Sequence, residues 1–198
     1  MSGLAKNLVA LGLVGMSPPS IAGPLAKGDV APRFAFADIE GHEGHIDDYR
    51  GWVVVYTAAE KDNSEELMEH HRAFTLQIIE SLPEARVAYI NVANVSMVPR
   101  MLHGVVRPIL RHISAKADRE FDELLQKSGT KVDSTRFRVH LVADWSGDTM
   151  AALGINEARP FRTWLACNQR IVGVWEGDSV AKDFMERLIA AAESCPVN

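Results

Sequence analysis

The sequence predicts an α/β domain: a central mixed sheet flanked by helices, with an N-terminal strand or hairpin extension and a helical insertion in the middle. Three observations carry this. The run Trp52–Tyr56 is apolar throughout, as a strand covered by helices on both faces would be. A helical stretch and a second β-rich run follow it, which is the order of a right-handed parallel crossover. Late in the chain, two β-rich runs flank Asn168-Gln169, a pair suited to a tight hairpin, and an amphipathic segment closes the sequence.

Taken in order, Phe34 and Phe36 alternate as in a short strand, and Glu40-Gly41 marks a turn. Ile46-Asp47-Asp48-Tyr49-Arg50 then leads through Gly51 into Trp52–Tyr56. Residues Ser64 to Leu82 place Leu67, Phe74, Ile78 and Leu82 near a 3.6-residue period. Ser64 supplies an N-cap with Glu65 and Glu66 in the first turn, and Pro83 stops the helix. The stretch Arg86–Val92 alternates and is rich in β-branched residues, so it reads as the next strand. Between Met97 and Thr130 lies a longer excursion in which Pro108 can start a helix with Ile109, Ile113, Phe121, Leu124 and Leu125 on its apolar face. Phe137–Ala143 is a third central strand, Asp144–Gly147 a turn and Met150–Ile155 a short helical segment. Phe161–Cys167 and Arg170–Trp175 form the hairpin, and Ser179–Ala192 the last helix.

Composition sets outer bounds. The chain has 198 residues, 47% hydrophobic and 24% charged, which suits a single globular domain, expected over residues 27–195 with the insertion at 97–130. A net charge of −5 argues against general nucleic-acid binding. No apolar stretch reaches the roughly 18 residues of a membrane span. At the N-terminus, Lys6 precedes an apolar run from Leu8 to Met16, and Ser20 and Ala22 supply the small residues of a cleavage site. Residues 1–22 are therefore expected to be a secretory signal, or otherwise a disordered leader. Export would place the protein in the periplasm or outside the cell; without cleavage it would be cytoplasmic.

Four motifs in sequence carry a resemblance. G-D-V-A-P-R-F, then D-I-E-G with I-D-D-Y-R-G, then V-A-D-W-S-G-D-T-M-A-A-L-G-I, then Pro160 eight residues before the hairpin turn, resemble the thioredoxin-like superfamily in its peroxiredoxin/TlpA-like branch. The resemblance runs from about Lys27 to about Ser194. The sulfur-free site and the long excursion are similar to YtfJ-like periplasmic proteins. It implies a thioredoxin-like fold, with a thiol site at the start of the helix after Tyr56 and a proline facing it at Pro160.

The chain departs from that family at the reacting atoms. Where two cysteines would stand are Lys61 and Ser64, within Lys61-Asp62-Asn63-Ser64; in a peroxiredoxin alignment Ser64 replaces the peroxidatic cysteine. A helix N-terminus lowers a thiol's pKa, but a serine hydroxyl titrates far too high to respond and cannot form a disulfide. No catalytic residue is expected there, and Ser64 reads as an N-cap rather than a nucleophile. The groove residues Lys61, Asp62, Asn63, Ser64, Arg159 and Pro160 are instead expected to hold a peptide or an anion.

Two further surfaces stand out. The excursion carries Arg100, His103, Arg107, Arg111, His112 and Lys116 with no acid before Asp118, and Arg107, Arg111 and His112 are expected on one helix side. This reads as a basic face for an acidic protein, an anionic ligand or peripheral membrane contact, or as a solvated helix face. His42, Glu43 and His45 in GHEGH are better read as a turn than as metal ligands, and His70-His71 as solvated. Neither a metal nor a cofactor is expected. Cys167 and Cys195 could be a structural disulfide in an oxidising compartment or two thiols in a reducing one. The functional expectation is a redox-inactive, binding protein of the cell envelope. The alternative is an enzyme: a thiol–disulfide or peroxide-linked oxidoreductase using a non-standard site at Cys167, with Cys195 resolving, or a metal-dependent activity through the histidines.

Overall fold

The computed structural model describes residues 25–59, 75–77, 79–81, 84–129, 133, 135–155, 162–176 and 182–195. The expected leader, the loop Lys61–Ser64 and the Arg159-Pro160 peptide lie outside the described residues. So does most of the helix expected at Ser64–Leu82, of which residues 75–77 and 79–81 are helical.

The sheet grows from the apolar runs. β3 (Val53–Ala59) pairs in parallel with β4 (Val87–Asn94), Val53 opposite Val87, and β4 pairs in parallel with β5 (Phe137–Asp144). On the other side of β3, β6 (Arg162–Cys167) runs antiparallel and hands over to β7 (Arg170–Glu176). The order is β5-β4-β3-β6-β7, the central mixed sheet that the sequence predicts. The β6–β7 turn is Asn168-Gln169, with φ of 49° and 64°. Positive φ at both positions is the turn that matches strand twist, and Asn tolerates it best.

Side chains alternate across β3. Val54, Tyr56 and Ala58 face one core with Ile90, Trp164, Met150 and Leu153; Val53 and Val55 face another with Tyr89, Leu165 and Leu188. The N-terminal segment covers the first core. Leu25 O accepts a bond from Trp164 Nε1, and residues 28–31 lace the β7 edge through Gly28 N to Ile171 O and Ala31 N to Gln169 O. Phe36 and Ile46 then cross the sheet face, and Ile39 N reaches Leu141 O on β5 at the opposite edge.

Two expectations need correction. GHEGH is not a turn throughout: Glu43–His45 is strand β2, antiparallel to β1 (Ala35–Ala37). Gly44 sits under the Phe36 ring, where a Cβ would come within 2.8 Å of Cζ, so this strand selects glycine and shows no β-forming signature. A 3-10 turn, Ile46–Tyr49, follows, capped by the His45 ring.

The second correction concerns the excursion. It holds a 3-10 turn, Arg100–Leu102, and helix α1 (His103–Ser128), so Pro108 lies inside the helix rather than opening it. Proline there removes the helical bond to Gly104 O. The outer side of the first turns tolerates this because Pro108 and Gly104 are both exposed and water can serve the carbonyl. Gly129 in the left-handed region, φ 71°, ends the helix by donating to Gln126 O and Leu125 O.

α2 (Asp148–Ala152) follows β5, and α3 (Lys182–Ser194) packs Leu188 and Ala191 on the second core. Cys195, just past α3, is joined by a disulfide to Cys167 at the end of β6, with Cα atoms 5.9 Å apart. No described helix is long and apolar enough to cross a membrane.

Candidate functional site

α1 lies at the rim of the domain. None of its described residues is fully buried, but Val106, Leu110, Ile113, Ala117, Phe121, Leu124 and Leu125 are partly covered at i, i+3, i+4 spacing and face the body. Phe121 stacks on Phe137 of β5, ring centroids 6.2 Å apart. Trp145, directly after β5, receives the His103 ring at 4.0 Å and the Arg107 guanidinium at 5.5 Å. Arg111 Nε donates to Ile39 O at 2.8 Å, tying α1 to the N-terminal hairpin.

The six basic residues therefore divide. His103, whose Nε2 lies 3.0 Å from Val98 O, Arg107 and Arg111 fasten the helix to the domain. Arg107 and Arg111 remain exposed while making these contacts; Arg100, His112 and Lys116 are exposed too, with Lys116 standing 3.8 Å from Glu120. His112 does not share a side with Arg107 and Arg111. A step of 100° per residue carries it onto the outer stripe with Val105 and Ile109.

That outer stripe is what sequence reasoning missed. Met97 and Met101 are 90% and 86% exposed, and Leu102, Val105 and Ile109 are also exposed, all between Met97 and Ile109 along the chain. These make up five of the seven exposed large hydrophobic residues described. Scattered exposed aliphatics are ordinary; such a cluster marks an interaction surface. The signal was present as apolar residues at 101, 105 and 109. It was masked by the neighbouring inner stripe, because both read as apolar.

A second constellation joins residues far apart in sequence. Asp38 Oδ2 lies 3.0 Å from His140 Nδ1 and 3.1 Å from His42 Nδ1, and His140 Nε2 lies 2.6 Å from Tyr49 Oη. Asp38 Oδ1 also accepts from Glu40 N and His42 N. Burial alone would raise the Asp38 pKa, but the bonds from His140 and His42 outweigh it and hold the carboxylate below its usual value. An ionised Asp38 can only accept, so His140 donates to it through Nδ1, and Nε2 is left to pair with the Tyr49 hydroxyl.

The order Tyr–His–Asp suggests an activated hydroxyl, but the surroundings argue otherwise. Tyr49 is partly buried, packs edge-on against Trp52 at 5.4 Å, and its pKa is raised, chiefly by burial. Its hydroxyl stays protonated and is committed to His140. The network is a clasp between hairpin and sheet. Among the described residues no set of three His, Cys, Asp or Glu is placed to hold a metal ion.

The Asp144 of the D-x-x-G motif also proves structural. It is buried and accepts from Gly147 N at 2.9 Å and Met150 N at 2.7 Å, closing the turn into α2.

No protein-family model and no curated protein matches the sequence. Solved structures do match in fold. A protein described as a thiol:disulfide interchange protein DsbE from Chlorobium tepidum superposes with a TM-score of 0.50 at 16% identity, covering 85% of this chain and 99% of that one. One described as a protein disulfide isomerase from Bacteroides thetaiotaomicron gives 0.52 at 15% identity, covering 86% and 92%. BsSco, a member of the Sco family of cytochrome c oxidase assembly proteins, gives 0.51 at 10%, covering 88% and 98%. Identities this low speak to fold alone, and the fold is thioredoxin-like.

Proposed function

We propose that this chain is a thioredoxin-fold binding protein that acts without thiol exchange, docking an acidic or anionic partner in the cell envelope through the outer face of α1. The observation that carries the reading is the exposed apolar stripe of Met97, Met101, Leu102, Val105 and Ile109 beside Arg100, His112 and Lys116. The chain's two cysteines support it from the other side. They are buried and bonded to each other, which leaves no thiolate to attack a substrate. A disulfide holding α3 to the sheet also supports an oxidising compartment, periplasmic or extracellular, for a domain spanning about 27–195 with its leader removed. The groove of Lys61, Asp62, Asn63, Ser64, Arg159 and Pro160 would be a second contact surface on the same protein.

The test pairs two measurements on the purified protein. Insulin reduction and peroxide turnover are expected at the uncatalysed rate, and affinity capture from the native compartment is expected to lose its partner with Met101→Ser/Val105→Ser. Catalysed turnover abolished by Cys167→Ser would replace this reading with the oxidoreductase one.

A further inference from the structure

Resting on that binding role, we infer that the outer face of α1 docks on the surface of an anionic lipid bilayer. The segment from Met97 to Ala117 contains four Lys or Arg residues and no carboxylate, in a chain of net charge −5. Positive charge is thus gathered on the N-terminal half of α1 and the turn before it, ahead of Asp118, Glu120, Asp122 and Glu123, and this half also exposes the apolar cluster. Anionic headgroups attract such a patch over a Debye length, and the rest of the protein is repelled, which sets the orientation.

The arrangement of the side chains selects a bilayer over an acidic protein. Met97 and Met101 are almost wholly exposed, so neither is enclosed by neighbouring side chains. Val105 and Ile109 continue the ridge along the helix at spacing four, so the apolar residues form its crest. Arg100 flanks the crest at one end; His112 and Lys116 follow on the same outer stripe and are exposed, with Glu120 beside Lys116 and Glu123 marking where the cationic part of the stripe ends. Apolar crest and cationic rim match the depth order of an interface, acyl boundary beneath phosphate. Long cationic stems let the charges stay at headgroup level while the methionines go deeper. A protein hot spot is built on Tyr, Trp or Arg anchors in desolvated pockets. Here the segment has no Tyr, Trp or Phe, and Arg107 and Arg111 are turned to Trp145 and Ile39. Unbranched methionine suits a fluid receptor that presents no fixed shape.

Flotation of the full chain with vesicles tests this. Binding is expected to vesicles of seven parts phosphatidylcholine to three parts phosphatidylglycerol at 0.1 M NaCl. It should drop at least fivefold at 0.5 M NaCl and be near background on pure phosphatidylcholine. Met101→Ser/Val105→Ser and, separately, Arg100→Gln/Lys116→Gln should each weaken binding at least fivefold with circular dichroism and Tm unchanged. Absence of binding to the anionic vesicles, or binding indifferent to the Met101→Ser/Val105→Ser change, overturns the lipid inference. If those variants instead release a captured acidic protein while vesicles never bind, the face is a protein-docking surface and the binding function stands. If neither vesicle nor captured protein responds, both readings fall.

Discussion

Asp38 Oδ2 lies 3.0 Å from His140 Nδ1, and this contact fastens the N-terminal hairpin to the outer strand of the main sheet. Asp38 gathers four donors, two from its own turn and two from imidazole rings, so nearly all its acceptor sites are used. The Asp38→Asn variant removes the charge and turns an acceptor edge into a donor edge against these partners. A loss of about 1–3 kcal/mol in urea unfolding at pH 7 is expected. The folded carboxylate titrates below its ordinary value of 3.8, so its contribution is complete above that value and lost as pH falls through the lower folded one. Wild type and Asp38→Asn should therefore begin to converge in stability near pH 3.8 and meet only below the lower folded value. A gap that persists unchanged at pH 2 would show that the ionised form is not what matters.

Tyr56 makes the opposite case. Its ring fills the first core beside Phe34, yet its buried hydroxyl has no hydrogen-bond partner among the described residues. Burial drives its pKa far above the usual phenol value, so the group is a neutral, unsatisfied donor. Tyr56→Phe keeps the packing and removes the desolvation cost, and a gain of about 1 kcal/mol is expected in chemical denaturation. A clear loss would mean that the hydroxyl has a partner after all.

The Cys167–Cys195 bond closes a segment with a sequence separation of 28, anchoring the end of α3 under the second core. Loop-closure entropy for that length is on the order of 3–4 kcal/mol. A Cys167→Ala/Cys195→Ala double variant, or wild type under a strong reductant, should lose roughly 10 °C in Tm by calorimetry while keeping the vesicle and partner binding of α1. Loss of partner binding on reduction alone would tie the disulfide to function.

Much of this architecture can be read locally. β3, β4 and β5 announce themselves as β-branched runs, and Asn168 marks the turn because it accepts a left-handed backbone. Interactions that depend on distance in the fold cannot. Asp38 and His140 are 102 positions apart, and no spacing rule links a hairpin aspartate to a histidine on an edge strand. β2 is hidden because Gly44 is selected by the Phe36 ring above it. Pro108 misplaces the helix start because exposure of the first turns lets the chain tolerate a residue that normally ends or opens helices. For the site, the basic residues of the excursion are legible but their division is not. The positions of Trp145 and Ile39 decide which arginines brace the helix against the body.

Gly173 offers a sharp test of packing on β7. The strand carries a register shift opposite Leu165/Ala166, and the Trp175 ring folds back over Gly173. A Cβ at 173 would lie 2.3 Å from Cη2 of that ring and 2.7 Å from Cζ3. Trp175 is held in turn by the Arg187 guanidinium of α3, 5.6 Å from the ring centroid, and packs on the second core. An indole is rigid, so a methyl group cannot be absorbed by a small torsion; the ring must leave its place and uncover the β7–α3 junction. Gly173→Ala is expected to cost about 1–3 kcal/mol. It should also change the near-ultraviolet circular dichroism or fluorescence of Trp175, which a backbone-entropy effect alone would not. Unchanged stability with an unchanged tryptophan signal would show that the ring does not rest there in solution.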